Sequence, residues 1–148
     1  MLPVLVEIEN ECVLVVVVYR APDPLGTFIT DFITQLKILP IRQHRTLVVG
    51  DFNLDQMLPE NKEKFNPIIT EFKFHQRSQY STHILGGILD LVFDNKKSES
   101  VEWIPSPYSD HFVLLIQIYY TKRRENCDHD RNRNQIKSKN KIKIKVNN

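Results

Sequence analysis

The sequence predicts an α/β protein in which a mixed, mainly antiparallel sheet carries flanking helices and is followed by a disordered basic tail. Three observations lead there. Val4–Ile8 and Val13–Tyr19 are rich in β-branched residues and are separated by a short polar link, Glu9-Asn10-Glu11, which reads as an antiparallel hairpin. The second of these runs is apolar without alternation, so it needs cover on both faces. Finally, charge divides the chain: residues 1–120 hold 10 Lys/Arg against 15 Asp/Glu, whereas 121–148 hold 10 against 3. The expected organisation is therefore a body over 1–120, net −5, and a tail over 121–148, net +7.

The remaining elements follow in order. After the break Pro22-Asp23-Pro24-Leu25-Gly26, the residues Phe28, Ile29, Phe32, Ile33 and Leu36 recur at helical spacing as far as Pro40. Thr46–Val49 is a short apolar strand that delivers Asp51 and Asn53 at its carboxyl end. From Asn61 a second helical pattern runs through Phe65, Ile68, Ile69 and Phe72; Pro67 is compatible with it only near a first turn or at a kink, which leaves the boundary open. Residues 73–87 are polar and end on Gly86-Gly87, a loop by composition. Three strands are expected after it, over Ile88–Phe93, Ser100–Ile104 and Phe112–Tyr120. Beyond Thr121 apolar residues fall away. Lys139–Lys145 alternates Lys with Asn or Ile; the period suits a strand, but the density of Lys and Asn assigns it to the disordered tail.

At 148 residues with 41% apolar side chains, the chain can form one core. Two cysteines, Cys12 and Cys127, make neither a disulfide framework nor a structural zinc site, which points to a reducing, intracellular compartment, nuclear or cytoplasmic. Met1–Ile8 lacks a basic leader and a cleavage site, and the longest apolar run, Cys12–Tyr19, is far short of the roughly 20 residues that span a bilayer. No membrane partner is expected. The acidic body suits a cation site; the basic tail could attract nucleic acid or an anionic membrane surface, or be simply solvated.

The chemistry concentrates in three polar signatures set against strands. Gly50-Asp51-Phe52-Asn53 follows Thr46–Val49, Asp90 lies inside Ile88–Phe93, and Ser109-Asp110-His111 precedes Phe112–Ile116. Asp51 and Asn53 are two apart, so both can turn toward one side of the strand end; an Asx-type turn would explain the same pair without chemistry. Asp90 is a charge in an apolar strand and needs a partner. His111 is the obvious one: a carboxylate on one ring nitrogen fixes the tautomer, steadies the imidazolium and leaves the other nitrogen for a phosphate or water. A histidine at a strand entrance can equally be a structural residue. Tyr19 ends a buried strand before Arg20-Ala21-Pro22 and is either a solvated strand-end aromatic or a ligand contact. Carboxylates, an amide and an imidazole at strand ends are what a protein needs to hold a hard divalent cation and activate water beside a phosphate.

These signatures, in this order over about residues 4–120, resemble the second half of the endonuclease/exonuclease/phosphatase superfamily, which includes apurinic endonucleases, deoxyribonuclease I and retroelement endonucleases. The Tyr19-Arg20-Ala21-Pro22 turn and Thr82-His83 ahead of Gly86-Gly87 are closest to the retroelement and transposon-type members. The resemblance implies the C-terminal half of a four-layer α/β sandwich and an ancestral Mg²⁺- or Mn²⁺-dependent hydrolysis of DNA phosphodiester bonds. It also implies roles: Asp51 positions water, Asn53 and Tyr19 hold the phosphate, Asp90 and His111 form the acid/base pair, and Asp110 is the metal ligand. His83 is expected to be a loop or substrate-contact residue. The family's N-terminal half supplies an Asn and a metal-binding Glu; Glu7, Glu9 and Glu11 do not stand in that context. The expectation is a truncated domain of mobile-element origin with an incomplete cation shell, weak or inactive alone, whose partly exposed first hairpin and uncovered sheet face favour self-association. The alternatives are a phosphatase or lipid phosphodiesterase of the same superfamily, and a non-catalytic remnant that binds nucleic acid.

Overall fold

The computed structural model describes residues 1–8, 11–22, 26–96, 100–121 and 139–146. Strand β1 (Leu2–Ile8) pairs antiparallel with β2 (Glu11–Tyr19), as the hairpin reading required. Helix α1 (Phe28–Lys37) then leads to β3 (Arg45–Asp51), which lies parallel to β2. Parallel neighbours need a crossover rather than a tight turn, and α1 lies in that connection. Two short helices follow, α2 (Pro59–Lys64) and α3 (Asn66–Phe72), and then the two-residue strand β4 (His75–Gln76). Pro67 falls in the first turn of α3, where a missing N–H breaks no helical hydrogen bond, so the pattern expected from Asn61 divides into two helices near Phe65. Strand β5 (Asp90–Asp94) runs antiparallel to both β3 and β4.

This first sheet has the order β1-β2-β3-β5-β4; a second, antiparallel sheet has the order β6-β7-β8, with β6 at Ser100–Ile104, β7 at Val113–Thr121 and β8 at Lys139–Val146. The protein is thus mixed α/β, with mainly antiparallel sheets and few helices. Part of the segment assigned to a disordered tail is a strand. Ile142, Ile144 and Val146 alternate with lysines at the strand period of two, and the register sets them opposite Ile118, Ile116 and Leu114. Alternation, rather than lysine content, decides that segment. The rest of the expected tail, 122–138 with 147 and 148, lies outside the described residues.

Alternation along the central strands sorts the core into two clusters. Leu14, Val16 and Val18 of β2, Val48 of β3 and Leu91 and Phe93 of β5 pack with Phe32 and Leu36 of α1 and Ile68 of α3. The opposite set, Val13, Val15, Leu47, Val49 and Val92, meets Leu114, Ile116 and Ile118 of β7. The first sheet is therefore sandwiched between helices and the second sheet, which explains why β2 is apolar on both faces. The face expected to be uncovered is in fact covered by the second sheet. The partial exposure expected of the first hairpin is present on its edge strand, where Leu2 and Leu5 are 61% and 54% exposed.

Phe52 is the packing centre beneath the strand ends. Fully buried, its ring meets Phe28, Phe32, Phe65 and Phe93 with centroids 5.4–6.1 Å apart, all edge-on, the arrangement in which positive ring edges face negative ring faces.

Candidate active site

The site begins as a register. Tyr19 pairs with Asp51 across β2 and β3, and Asp51 pairs with Asp90 across β3 and β5. Since Val13 and Val15, Leu47 and Val49, and Val92 all point to the second sheet, the period of two puts Tyr19, Asp51 and Asp90 on that same face. They form a row at one end of the sheet. Tyr19 is 70% exposed at its outer end, while Asp51 and Asp90 are buried.

The tetrapeptide Gly50-Asp51-Phe52-Asn53 builds its part of the row with a separate task for each residue. Gly50 has φ 144° and lies so close to β2 that an added Cβ would come within 1.8 Å of the Val18 carbonyl oxygen; only glycine fits. Phe52 anchors the turn in the aromatic cluster. Asn53 takes a left-handed conformation, φ 46°, which asparagine tolerates better than most residues. Its backbone N–H donates to Asp51 Oδ1 at 2.9 Å, and its carboxamide donates to Asp51 Oδ2 at 2.9 Å and to the Arg20 carbonyl at 2.7 Å. The Asx turn weighed as an alternative is therefore present, and it holds both oxygens of Asp51. Arg20 returns the contact by donating to the Asn53 carbonyl at 3.2 Å while its guanidinium lies over the Phe28 ring, 5.5 Å from the centroid.

His111 arrives from the second sheet, just ahead of β7, and donates from Nδ1 to Asp90 Oδ2 at 2.8 Å. Asp90, Asp51 and His111 each offer one possible ligand atom, all within 4.8 Å of one another. The electrostatics follow from this crowding. Burial and the nearby Asp90 charge push the Asp51 carboxyl above its ordinary value, outweighing the hydrogen bonds from Asn53 that pull it down. Burial opposes the imidazolium of His111, but the bond to Asp90 and the charges of Asp90, Asp51 and Asp110 prevail and raise its pKa. Two groups in contact with the same carboxylate thus both hold protons more tightly than usual.

Asp110 and His83 make a second, more exposed layer. His83 Nε2 lies 3.2 Å from Asp110 Oδ2, and the His83 and His111 rings meet edge to face with centroids 5.0 Å apart. Asp110 is held below its ordinary carboxylate value by its own backbone N–H and then by His83. Residues 82–84 pair with 110–112: Ile84 N–H donates to the Asp110 carbonyl at 2.9 Å, Phe112 N–H donates to the Thr82 carbonyl at 2.8 Å, and His83 and His111 form an antiparallel bridge. Tyr19, Asp51, Asn53, His83, Asp90, Asp110 and His111 therefore gather at this one end of the two sheets.

The supporting tasks of two residues escaped the sequence reading. The buried Thr82 hydroxyl accepts from the backbone N–H groups of both Leu89 and Asp90 at 3.0 Å, fixing the start of β5 where Asp90 stands. Asp55 Oδ1 accepts from the N–H groups of Ile88 and Met57 at 2.9 Å, tying the loop before β5 to the turn after Asn53. Asp55 left a signal, a carboxylate two residues beyond Asn53. Thr82 stood out in the sequence only as part of Thr82-His83; the task of its hydroxyl at the start of β5 leaves no mark there.

The donor set fits a hard divalent cation in kind, because carboxylate oxygens dominate it, and falls short in number. Two groups offer ligand atoms within 4.8 Å of one another, Asp51, Asp90 and His111 in one and His83, Asp110 and His111 in the other, with His111 already bonded to Asp90. No helix among the described residues is long and apolar enough to cross a membrane. Comparisons with protein-family models, with curated proteins and with solved structures found no match for this chain.

Proposed function

We propose that this chain carries a phosphodiester-hydrolysing site of the endonuclease/exonuclease/phosphatase type, acting slowly on DNA with Mg²⁺ or Mn²⁺, in a domain of mobile-element origin. One observation carries the reading: a buried carboxylate, Asp90, is bonded at 2.8 Å to the His111 imidazole and has a second carboxylate, Asp51, as its neighbour in the row. The Thr82-His83 and Tyr19-Arg20-Ala21-Pro22 segments support the mobile-element origin by their resemblance to retroelement members.

The residues divide the work by their environments. Asp51, less acidic than an ordinary aspartate, accepts the proton of the attacking water, and Asn53 holds both of its oxygens in place. His111, whose pKa the bond to Asp90 raises against burial, donates in its protonated form from Nε2 to a phosphoryl oxygen and stabilises the charge that grows there. Tyr19, at the open end of the row, contacts the phosphate. Asn53 joins it by exchanging its bond to the Arg20 carbonyl for one to the substrate. A cation would supply Lewis-acid polarisation of the phosphate, and Asp110 would be the residue that holds it. With few carboxylates to spare, cation binding is weak and turnover slow.

The test compares a chromogenic diester, bis(p-nitrophenyl) phosphate, with the monoester p-nitrophenyl phosphate in the presence of Mn²⁺. Slow hydrolysis of the diester, lost in His111→Ala, is expected, with the monoester untouched. Preference for the monoester would favour a phosphatase, and equal diester rates in both proteins would overturn the reading.

A further inference from the structure

Resting on that reading, we infer that His83 is a positioning residue that aims the Asp110 carboxylate at the cation. The geometry defines its tautomer. Leu85 N–H donates to His83 Nδ1 at 3.2 Å, so Nδ1 offers its lone pair and, in the neutral ring, the proton resides on Nε2. Nε2–H then donates to Asp110 Oδ2 at 3.2 Å. His83, Asp110 and His111 offer ligand atoms close enough to hold an ion among themselves, but a ring that receives a hydrogen bond at Nδ1 and donates one at Nε2 has no lone pair left to ligate. His83 is a hydrogen-bonding neighbour of a ligand and not itself one.

The surroundings show why the aim needs fixing. Asp110 is exposed, in a segment held by the backbone pairing of residues 82–84 with 110–112, and a free carboxylate there would sample several rotamers. The bond from His83 selects one of them. The antiparallel bridge between His83 and His111, with the edge-to-face packing of their rings, ties that choice to the position of His111, and through it to Asp90 and Asp51. Carboxylates that bind metals are generally oriented by such outer partners, whose removal weakens metal affinity by about 10–100-fold.

Two substitutions separate aiming from mere loop support. Glutamine carries its amide nitrogen at the place of Nε2, so His83→Gln keeps the donor to Asp110 and loses the acceptor for Leu85. Asparagine carries its amide oxygen at the place of Nδ1, so His83→Asn keeps the acceptor and loses the donor. Mn²⁺ binding to the full chain, followed by electron paramagnetic resonance of the free ion, reads the difference without requiring turnover. The expected result is affinity near that of the wild type for His83→Gln and a loss of about 10-fold or more for His83→Asn. The reverse pattern, or equal affinity in both, overturns the role. Asp110→Ala is the reference: if it binds Mn²⁺ as the wild type does, Asp110 is not a ligand, and its metal role in the proposed function falls together with this inference. If Asp110→Ala weakens binding and His83→Asn does not, only this inference fails.

Discussion

Asp90 and His111 belong to different sheets and meet at 2.8 Å, the carboxylate fully buried and the imidazole reaching it from the entrance of β7. The bond depends on the two sheets being packed together, through Val92 on one side and Leu114 on the other. A charge buried in β5 is tolerable because this partner is there.

Replacing Asp90 by Asn keeps its shape and removes its charge. The His111 pKa should then fall relative to the wild type, since the hydrogen bond to a charged acceptor and its field are the leading influences that raise it against burial. Following the imidazole resonance by NMR across pH checks this. An unchanged titration would mean that Asp90 does not govern His111.

Stability should decline as pH rises. A histidine whose folded pKa is raised adds stability that is fully present below its ordinary value of 6.5 and is lost as pH climbs through the folded value. Asp51 acts in the same direction, because a raised carboxyl disfavours the folded state once pH passes its ordinary 3.8. Urea unfolding between about pH 5.5 and pH 8.5 should show the difference between the wild type and His111→Gln shrinking with pH. A difference that grows would reverse the assigned sign.

Gly50→Ala should destabilise the protein by about 3 kcal/mol, because both its φ of 144° and the Val18 carbonyl at 1.8 Å from a new Cβ oppose it. The substitution also shifts Asp51 from the row. Urea midpoints measure the first effect, and wild-type stability in the variant would show that the strand spacing is wrong.

The site was legible because its residues interrupt apolar strands, where a polar side chain demands a reason. Asp90 within Leu89–Phe93 and Asp51 after Thr46–Val49 declared themselves in this way. The first hairpin, α1, β3, β5, β6 and β7 were legible from periodicity for the same physical cause: one face or two must be buried. What was not legible depends on distant partners. The role of Thr82 exists only because β5 begins beside it, and the inward turn of Asn53 toward Asp51 and Arg20 needs both of those residues in place. The cover on the first sheet and the strand at Lys139–Val146 were missed together. Each rests on assembling the second sheet, where the alternation of Ile142, Ile144 and Val146 has a register to meet.

The edge strand β1 offers a further check. Leu2, Val4, Leu5 and Val6 are exposed on it, and its outer backbone edge has no neighbouring strand among the described residues. Such an edge favours strand-to-strand association, which a lysine suppresses. Sedimentation at rising concentration should show self-association of the wild type that Leu5→Lys reduces. A wild type that stays monomeric throughout would remove this expectation.

The central claim, that Asp51, Asp90 and His111 act together on a phosphodiester, is tested most directly by nicking of supercoiled plasmid DNA with Mg²⁺ or Mn²⁺. The expected result is slow nicking that requires the cation and is lost in both His111→Ala and Asp51→Asn, each of which retains the folded circular-dichroism spectrum. Nicking at the same rate in His111→Ala, or in the absence of any divalent cation, would contradict the claim.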